Sequence, residues 1–270
     1  MLIDSHCHLD AREFEADRAL VIQAAIDLDV GVMVVPAVDK ANFETVITLA
    51  EQYPNCVYAL GIHPMYINHS TIDHLHDLAA LVEIRMSSDK PPVAIGEIGL
   101  DFFAEGFDRE KQEYFFSEQL KLAKKFDLPV ILHVRRSVDD VLKFLRRMKL
   151  TGGIAHAFNG SSQQANEFIK LGFKLGFGGA MTYSRALNIR QLASSLPLQA
   201  IVLETDSPDI PPEWLGNRGR NSPAELPKIA QVLADLRAVE LSEIVLQTRL
   251  NAIQALPKIA QLCTPPQVLL

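Results

Sequence analysis

The sequence has few of the features that mark secreted or membrane-spanning proteins. Its 270 residues contain 3 cysteines, a sparse and odd number that forms no disulfide framework and favours a reducing compartment. The longest apolar runs, such as Val30–Val38, are far shorter than the roughly 20 residues that span a bilayer. Met1 is not followed by the basic and hydrophobic regions of a signal peptide. We therefore expect a cytoplasmic protein without membrane contact.

Charge and the missing motifs exclude further classes. The 26 Lys+Arg and 33 Asp+Glu give a formal net charge of −7, which argues against a broad basic surface that coats nucleic acid. The chain lacks G-x-S-x-G, a Walker loop and H-E-x-x-H, and the glycines at 176, 178 and 179 do not complete G-x-G-x-x-G. The sequence thus gives no support for a nucleotide cofactor.

Short β-branched segments alternate with amphipathic segments along the chain. Strands joined by crossovers long enough to hold a helix form a parallel sheet. The number of units suits a (β/α)8 TIM barrel of about 250 residues, and a doubly wound open sheet is the alternative. We predict a single domain over residues 1–262 and a C-terminal tail over residues 263–270.

The predicted strands are Met1–Ser5, Gly31–Pro36, Val57–Leu60, Pro92–Gly96, Val130–His133, Gly153–His156, Phe173–Phe177 and Ile201–Glu204. The predicted helices are Glu15–Asp29, Asn42–Tyr53, Thr71–Ser87, Asp108–Asp127, Ser137–Arg147, Ser161–Leu171, Leu187–Ser195, Pro223–Arg237 and Ser242–Leu256.

Histidines and carboxylates gather where the predicted strands end. His6 and His8 are two residues apart on an extended segment, so both can face the barrel interior while Cys7 points away from it. Barrel active sites are built at the C-terminal ends of strands, and apolar surroundings do not bury polar groups without a partner. The later candidates in this position are His63, Glu97, His133, His156 and Asp206.

The remaining histidines do not join this set. His74 and His76 fall in a predicted helix, where a two-residue step turns the side chain by about 200°, so the two rings diverge. We exclude them, and His69 with them.

Four histidines and two carboxylates, without cysteine, suit Zn²⁺, Mn²⁺ or Mg²⁺. A catalytic ion keeps an open position, so six ligands are better used by two ions about 3.5–4 Å apart. Glu97 is central enough to bridge them. Asp206 could then bind one ion and orient or deprotonate the attacking water.

The motifs resemble those of the TatD family, metal-dependent deoxyribonucleases among the amidohydrolase-like barrels. The matching segments follow the family order along almost the whole chain. They are D-S-H-C-H-L at 4–9, G-I-H-P at 61–64, G-E-I-G-L-D at 96–101, H-V-R at 133–135, H-A-F-N-G-S at 156–161 and E-T-D-S-P at 204–208.

The resemblance implies a site and an activity. The metal ligands would be His6, His8, Glu97, His133, His156 and Asp206. His63 would contact the scissile phosphate or its leaving group without binding metal. The reaction would be hydrolysis of DNA phosphodiester bonds, from an end and on single strands. Among the basic residues, Arg135, Arg218 and Arg220 are candidates for binding phosphate, because a guanidinium matches its geometry.

Three departures from the family pattern leave the substrate open. Met65 stands where a second histidine is frequent, Ser222 replaces a glutamate, and the helix after His156 starts without the usual acidic residue. One alternative is a related barrel hydrolase of a small phosphoester, cyclic amide or lactone. Many such relatives bridge their metals with a modified lysine, and Glu97 at that position favours the nuclease. The other alternative is a non-enzymatic barrel that binds metal or a partner.

Five neighbouring residues have supporting roles or none. We expect Asp101 to order the site or to cap the following loop, and Glu204 to support the ligands. The aromatic residues are expected to pack as an apolar lid rather than to stack on bases: Phe102, Phe103 and Trp214.

Overall fold

The computed structural model describes residues 1–263 and contains one eight-stranded sheet. Neighbouring strands are parallel and follow chain order, β1 to β8, which confirms the (β/α)8 TIM barrel and excludes the doubly wound alternative. The strands are β1 (Leu2–Asp4), β2 (Val30–Pro36), β3 (Cys56–Leu60), β4 (Ala94–Asp101), β5 (Val130–Arg135), β6 (Gly153–Ala155), β7 (Phe173–Phe177) and β8 (Ile201–Leu203).

Helices follow the strands and cover the outside of the barrel. They are α1 (Arg18–Asp27), α2 (Phe43–Gln52), α3 (Ile72–Arg85), α4 (Arg109–Phe126), α5 (Val138–Met148), α6 (Ser162–Lys170), α7 (Leu187–Ser195), α8 (Leu226–Arg237) and α9 (Leu241–Ala255). The first helix starts later than the predicted Glu15, because a 3-10 helix at Arg12–Phe14 is followed by a turn over residues 15–17. Within residues 1–263, no helix is long and apolar enough to cross a membrane.

The apolar core has two layers. Side chains such as Ile3, Val32, Ile131 and Val202 fill the barrel interior. Leu256, after α9, extends this inner cluster, so the interior is packed rather than open, as is usual for this fold. A larger outer layer lies between the strands and the helices. The last 3-10 helix, Pro257–Cys263, includes the first residue of the predicted tail, and residues 264–270 lie outside the described part of the chain.

Strand β4 differs most from its prediction. Its predicted end at Gly96 is wrong, since the strand continues to Asp101 and its pairing with β5 shifts register between Ile95 and Ile98. A bulge of this kind re-aims a side chain, and here it sets the direction of Glu97. Gly99 is required beside it, because its φ is 152° and an added Cβ would lie 2.0 Å from the His133 carbonyl oxygen.

The seam between β8 and β1 joins the two ends of the barrel. The main-chain N–H of Ser5 donates to the Leu203 carbonyl at 3.0 Å, and that of Asp206 donates to the His6 carbonyl at 2.9 Å. Both strands end one residue earlier than predicted, and His6 and Asp206 lie in the segments that follow β1 and β8. The seam therefore brings the first and the last candidate ligands together.

Candidate active site

The segment after β1 places two imidazoles side by side. His6 is fully buried, and its Nε2 lies 3.2 Å from Nε2 of His8. Cys7 between them packs in the outer layer with its Sγ 3.6 Å from the Val34 carbonyl oxygen, as alternation predicts. The two ring nitrogens therefore point to the same place at the end of the barrel.

Glu97 occupies the centre of the site, with its two oxygens facing different groups. Oε2 lies 3.2 Å from His6 Nε2 and 3.5 Å from His8 Nε2. Oε1 lies 3.2 Å, 3.1 Å and 2.7 Å from nitrogens of the second group, which are His63 Nε2, His133 Nδ1 and His156 Nε2. One buried carboxylate is thus shared by five imidazoles.

Asp206 lies beside His6 and His8, the two histidines that face Oε2 of Glu97. Its Oδ1 lies 3.4 Å from His6 Nε2 and 3.6 Å from His8 Nε2. The backbone of Asp206 has φ 55°, a conformation that is sparsely populated outside glycine and is often found at functional sites. With 13% of its side chain exposed, against 2% for Glu97, it is the more accessible of the two carboxylates.

The donor set fits a metal ion. Three groups have ligand atoms within 4.8 Å of one another: His6 with His8 and Glu97, His6 with His156 and Asp206, and His63 with Glu97 and His133. Ligands held tetrahedrally at about 2.0–2.1 Å from Zn²⁺ lie about 3.4 Å apart, close to several spacings in this site. Imidazole nitrogens face each other at such distances only when a proton or a cation lies between them.

The tautomer of His63 separates it from the other histidines. The main-chain N–H of Met65 donates to His63 Nδ1 at 3.1 Å, so in the neutral ring the proton is on Nε2. Burial lowers the pKa of His63 to about 4, which keeps the ring neutral near pH 7. A protonated Nε2 cannot bind a metal but can donate a hydrogen bond. Although His63 lies within reach of a metal position, it is therefore better suited to donate to a substrate.

Asp101 orients the His133 ring so that Nδ1 faces Glu97, whereas His63 turns its Nε2 to Glu97. Its Oδ2 lies 2.9 Å from His133 Nε2, while its Oδ1 accepts main-chain N–H groups from Phe103 and Ala104 at 2.8 and 2.9 Å. Asp101 therefore both orients the imidazole and caps the loop. With the Nε2 proton held by the carboxylate, Nδ1 of His133 presents its lone pair to the centre of the site.

Glu204 supports His156 from behind. Its Oε1 accepts the Ala157 main-chain N–H at 2.5 Å and lies 3.9 Å from His156 Nδ1. The carboxyl group occupies the space left by Gly176, where an added Cβ would lie 2.1 Å from Oε2. Burial raises the pKa of Glu204 to about 8, whereas that of Glu97 is held well below its usual range, because the surrounding histidines outweigh the effect of burial.

A cavity of about 1130 Å³ opens over these residues at the C-terminal ends of the strands. Arg135 lines it, with Arg136 and Phe103 beside it. Arg218 and Arg220 do not line it. The structure leaves Arg220 in a bidentate pair with Asp17, at 2.6 and 2.9 Å.

The aromatic candidates fall in different environments. Phe102 lies beneath Arg109, and Trp214 donates from Nε1 to Glu225 at 2.7 Å. Neither lines the cavity, whereas Phe103 does and is 45% exposed. The sequence analysis did not name Arg136 as a candidate for binding phosphate. The Arg-Arg pair shortly after His133 was the sequence signal that could have identified it.

Comparison with known proteins supplies the family. The sequence model described as "TatD related DNase" matches residues 3–257. The metal-dependent hydrolase YjjV of Escherichia coli strain K12 is 42% identical over 92% of this chain and 95% of its own. The 3'-5' ssDNA/RNA exonuclease TatD of Erwinia tasmaniensis is 32% identical over 93% of this chain and 98% of its own.

A solved structure agrees with both sequence matches. The crystal structure of the E. coli YjjV protein superposes with a TM-score of 0.90 and 40% identity, covering 95% of this chain and 98% of that one. Organophosphorus hydrolase from Deinococcus radiodurans, at 14% identity and a TM-score of 0.66, shares the fold. The chain belongs to the TatD family and is a metal-dependent hydrolase that acts on ester bonds.

Proposed function

We propose that this protein is a deoxyribonuclease that hydrolyses phosphodiester bonds of single-stranded DNA from an end, using two divalent metal ions. The observation that carries the proposal is the division of Glu97, whose Oε2 faces His6 and His8 while Oε1 faces His133 and His156. A carboxylate with a separate nitrogen group on each oxygen is suited to bridge two cations. The name of the Erwinia relative supports the choice of a single strand and an exonuclease.

In this proposal His6, His8 and Asp206 would hold one ion and His133 and His156 the other, with Glu97 shared between them. Bound divalent ions polarise phosphoryl oxygens and lower the pKa of water. Mg²⁺, Mn²⁺ and Zn²⁺ remain the candidates, because the set contains nitrogen and oxygen donors and no sulfur.

Side chains of the protein supply the remaining roles, which are proton acceptance, hydrogen-bond donation and orientation of the metal ligands. Asp206 reaches the cavity and accepts the proton of the attacking water. His63 also lines the cavity, and its Nε2–H donates to the phosphate or to the leaving oxygen. Asp101 and Glu204 keep the ligand imidazoles oriented. A cytoplasmic location remains part of the proposal, in keeping with three free cysteines.

The test begins with protein stripped of metal. Mg²⁺, Mn²⁺ or Zn²⁺ is added separately, and the substrates are end-labelled single- and double-stranded DNA, RNA, a small phosphoester, a lactone and a cyclic amide. We expect metal-dependent cleavage of DNA that is lost in Glu97→Gln and Asp206→Asn.

Matched controls are Glu243→Gln and Asp235→Asn, which make the same chemical changes on exposed helix surfaces. Full DNA cleavage by Glu97→Gln and Asp206→Asn would refute the assigned roles. Turnover of the lactone or the cyclic amide without cleavage of DNA would refute the nuclease.

A further inference from the structure

One aromatic ring at the edge of the cavity holds two cations. The guanidinium carbons of Arg135 and Arg136 lie 3.9 and 4.5 Å from the centre of the Phe103 ring. The ring itself is anchored by its main-chain N–H, which donates to Asp101 at 2.8 Å. Cation–π contact orders both guanidinium groups without neutralising their charge.

Both arginines are free to bind an anion. Their side chains are exposed, and within residues 1–263 neither forms an ion pair or a hydrogen bond through its guanidinium. Two arginines outside the cavity lining are engaged by contrast, Arg220 with Asp17 and Arg109 with Glu113. Ordered but unpaired guanidinium groups are well suited to bidentate phosphate binding.

Both arginines lie close to His133, one of the proposed metal ligands. Arg135 lies two residues after His133 on β5, so it faces the same side, and the two Cα atoms are about 7 Å apart. Arg136 follows at the end of the strand with φ 54°, a conformation that turns the chain at the cavity wall. An anion bound there would lie next to the proposed metal position rather than on it.

The opposite wall of the cavity carries the opposite charge. Strand order places β1 and β2 across the barrel from β5, and the residues after them that line the cavity include Asp10, Glu13 and Asp39. The third cation of the lining, Arg12, lies between Asp10 and Glu13 in sequence. This asymmetry repels phosphate from one wall and attracts it to the other.

We propose that Phe103, Arg135 and Arg136 form an arginine clamp that binds the phosphate next to the scissile one in a single-stranded polynucleotide. This rests on the proposed nuclease function and deepens it, since it requires a substrate with at least two phosphodiester linkages. The strand would leave the site over β4 and β5. The exposed guanidinium planes also offer surfaces on which the adjoining base can stack.

The test compares three thymidine oligonucleotides with the metal-loaded enzyme. The first is a dinucleotide with one phosphodiester. The second is a trinucleotide with two, and the third is the same trinucleotide with an uncharged methylphosphonate at the linkage that is not cut. The wild type is expected to cleave the normal trinucleotide with a kcat/KM about 10- to 100-fold above the other two, the range for losing hydrogen bonds to a charged group.

Variants of the clamp residues test which side chains cause the preference for the charged trinucleotide. Arg136→Ala is expected to cleave all three substrates at the dinucleotide rate, and Phe103→Leu to lose part of the preference. Arg136→Lys keeps the positive charge but lacks the planar guanidinium that binds phosphate through two N–H groups, and it should retain an intermediate preference. The wild-type slope of log kcat/KM against log salt should become shallower by about 0.7 in Arg136→Ala, one phosphate contact on a single strand. The control is Arg147→Ala, an exposed arginine in the last turn of α5, which should behave as wild type.

The outcomes separate the clamp from the nuclease. Equal preference for the charged trinucleotide in wild type and Arg136→Ala overturns the clamp and leaves the nuclease standing. A wild type that shows no preference for the charged trinucleotide also overturns the clamp. A metal-loaded wild type that cleaves no phosphodiester overturns the proposed function, and the clamp with it.

Discussion

The substitution Thr205→Val tests how the barrel is closed. Asp4 is fully buried at the seam between β8 and β1, and Thr205 donates to it twice. The main-chain N–H reaches Oδ1 at 3.0 Å and the hydroxyl reaches Oδ2 at 2.6 Å. Valine has nearly the shape of threonine, so the substitution leaves little cavity and removes one hydroxyl with its contacts to Asp4 and to Ser207.

The size of the effect follows from the charge and burial of Asp4. Burial raises the pKa of Asp4 to about 7 even with these donors present, so the carboxyl group depends on the hydrogen bonds it has. Unfolding is therefore measured at a pH well above 7, where the carboxyl group is ionised and a hydrogen bond to it contributes about 1.5–3 kcal/mol. We expect Thr205→Val to lose roughly 2–3 kcal/mol of unfolding free energy, and its Tm to fall by roughly 4–10 °C.

The assay is urea and thermal unfolding of the metal-free protein, so that a change in metal binding does not enter. Thr205→Ser keeps the hydroxyl and should lose much less. Thr248→Val is the matched control, because its buried hydroxyl bonds only to the Ile244 carbonyl within α9, and it should cost less than about 1 kcal/mol. Equal losses in Thr205→Val and Thr248→Val would refute the view that the Asp4 contact closes the seam.

Three further results are expected. Gly99→Ala should unfold the protein or cost more than about 3 kcal/mol by urea titration, because its Cβ would meet the His133 carbonyl, whereas Gly106→Ala, which meets no neighbouring atom and carries only the strain of φ 81°, should cost less. With a thiol reagent at pH 8, the partly exposed Cys263 should react first, since the other two thiols are buried and burial raises the pKa of Cys56 to about 12. Removing metal with a chelator should lower Tm, and adding ion at about 100 times its Kd should restore about 2.7 kcal/mol; an unchanged Tm would count against a bound metal in the folded state.

Much of the fold follows from the sequence because each unit carries its own signal. A short β-branched run and an amphipathic segment can be recognised without knowledge of the rest, and parallel strand order then follows from the crossovers. The boundaries are less determined. The prediction ended β4 at Gly96 and so missed the bulge, which depends on pairing with β5 at Ile98 and not on local propensity.

Which residues gather at the candidate site could be predicted from the sequence more readily than how each of them is oriented there. A set of histidines at the ends of successive predicted strands indicates a barrel site. Their protonation depends on partners distant in sequence, however. His133 receives its orientation from Asp101 across a strand pair, and Glu204 fits behind His156 only because Gly176 on another strand lacks a side chain. Such contacts exist only in the folded barrel.

The net charge of −7 shows why whole-chain composition does not decide the substrate. Tight coating of a polynucleotide needs positive charge spread over a surface, and this chain lacks the excess. An enzyme that acts at a strand end needs positive charge only where a few phosphates lie. Here the buried acid, Glu97, is surrounded by imidazoles, and the exposed cations are ordered on one wall by Phe103. Under the proposed nuclease function, the acids on the opposite wall would favour one path for the strand and weaken the hold on the rest of it, which suits a substrate that is released after each cut.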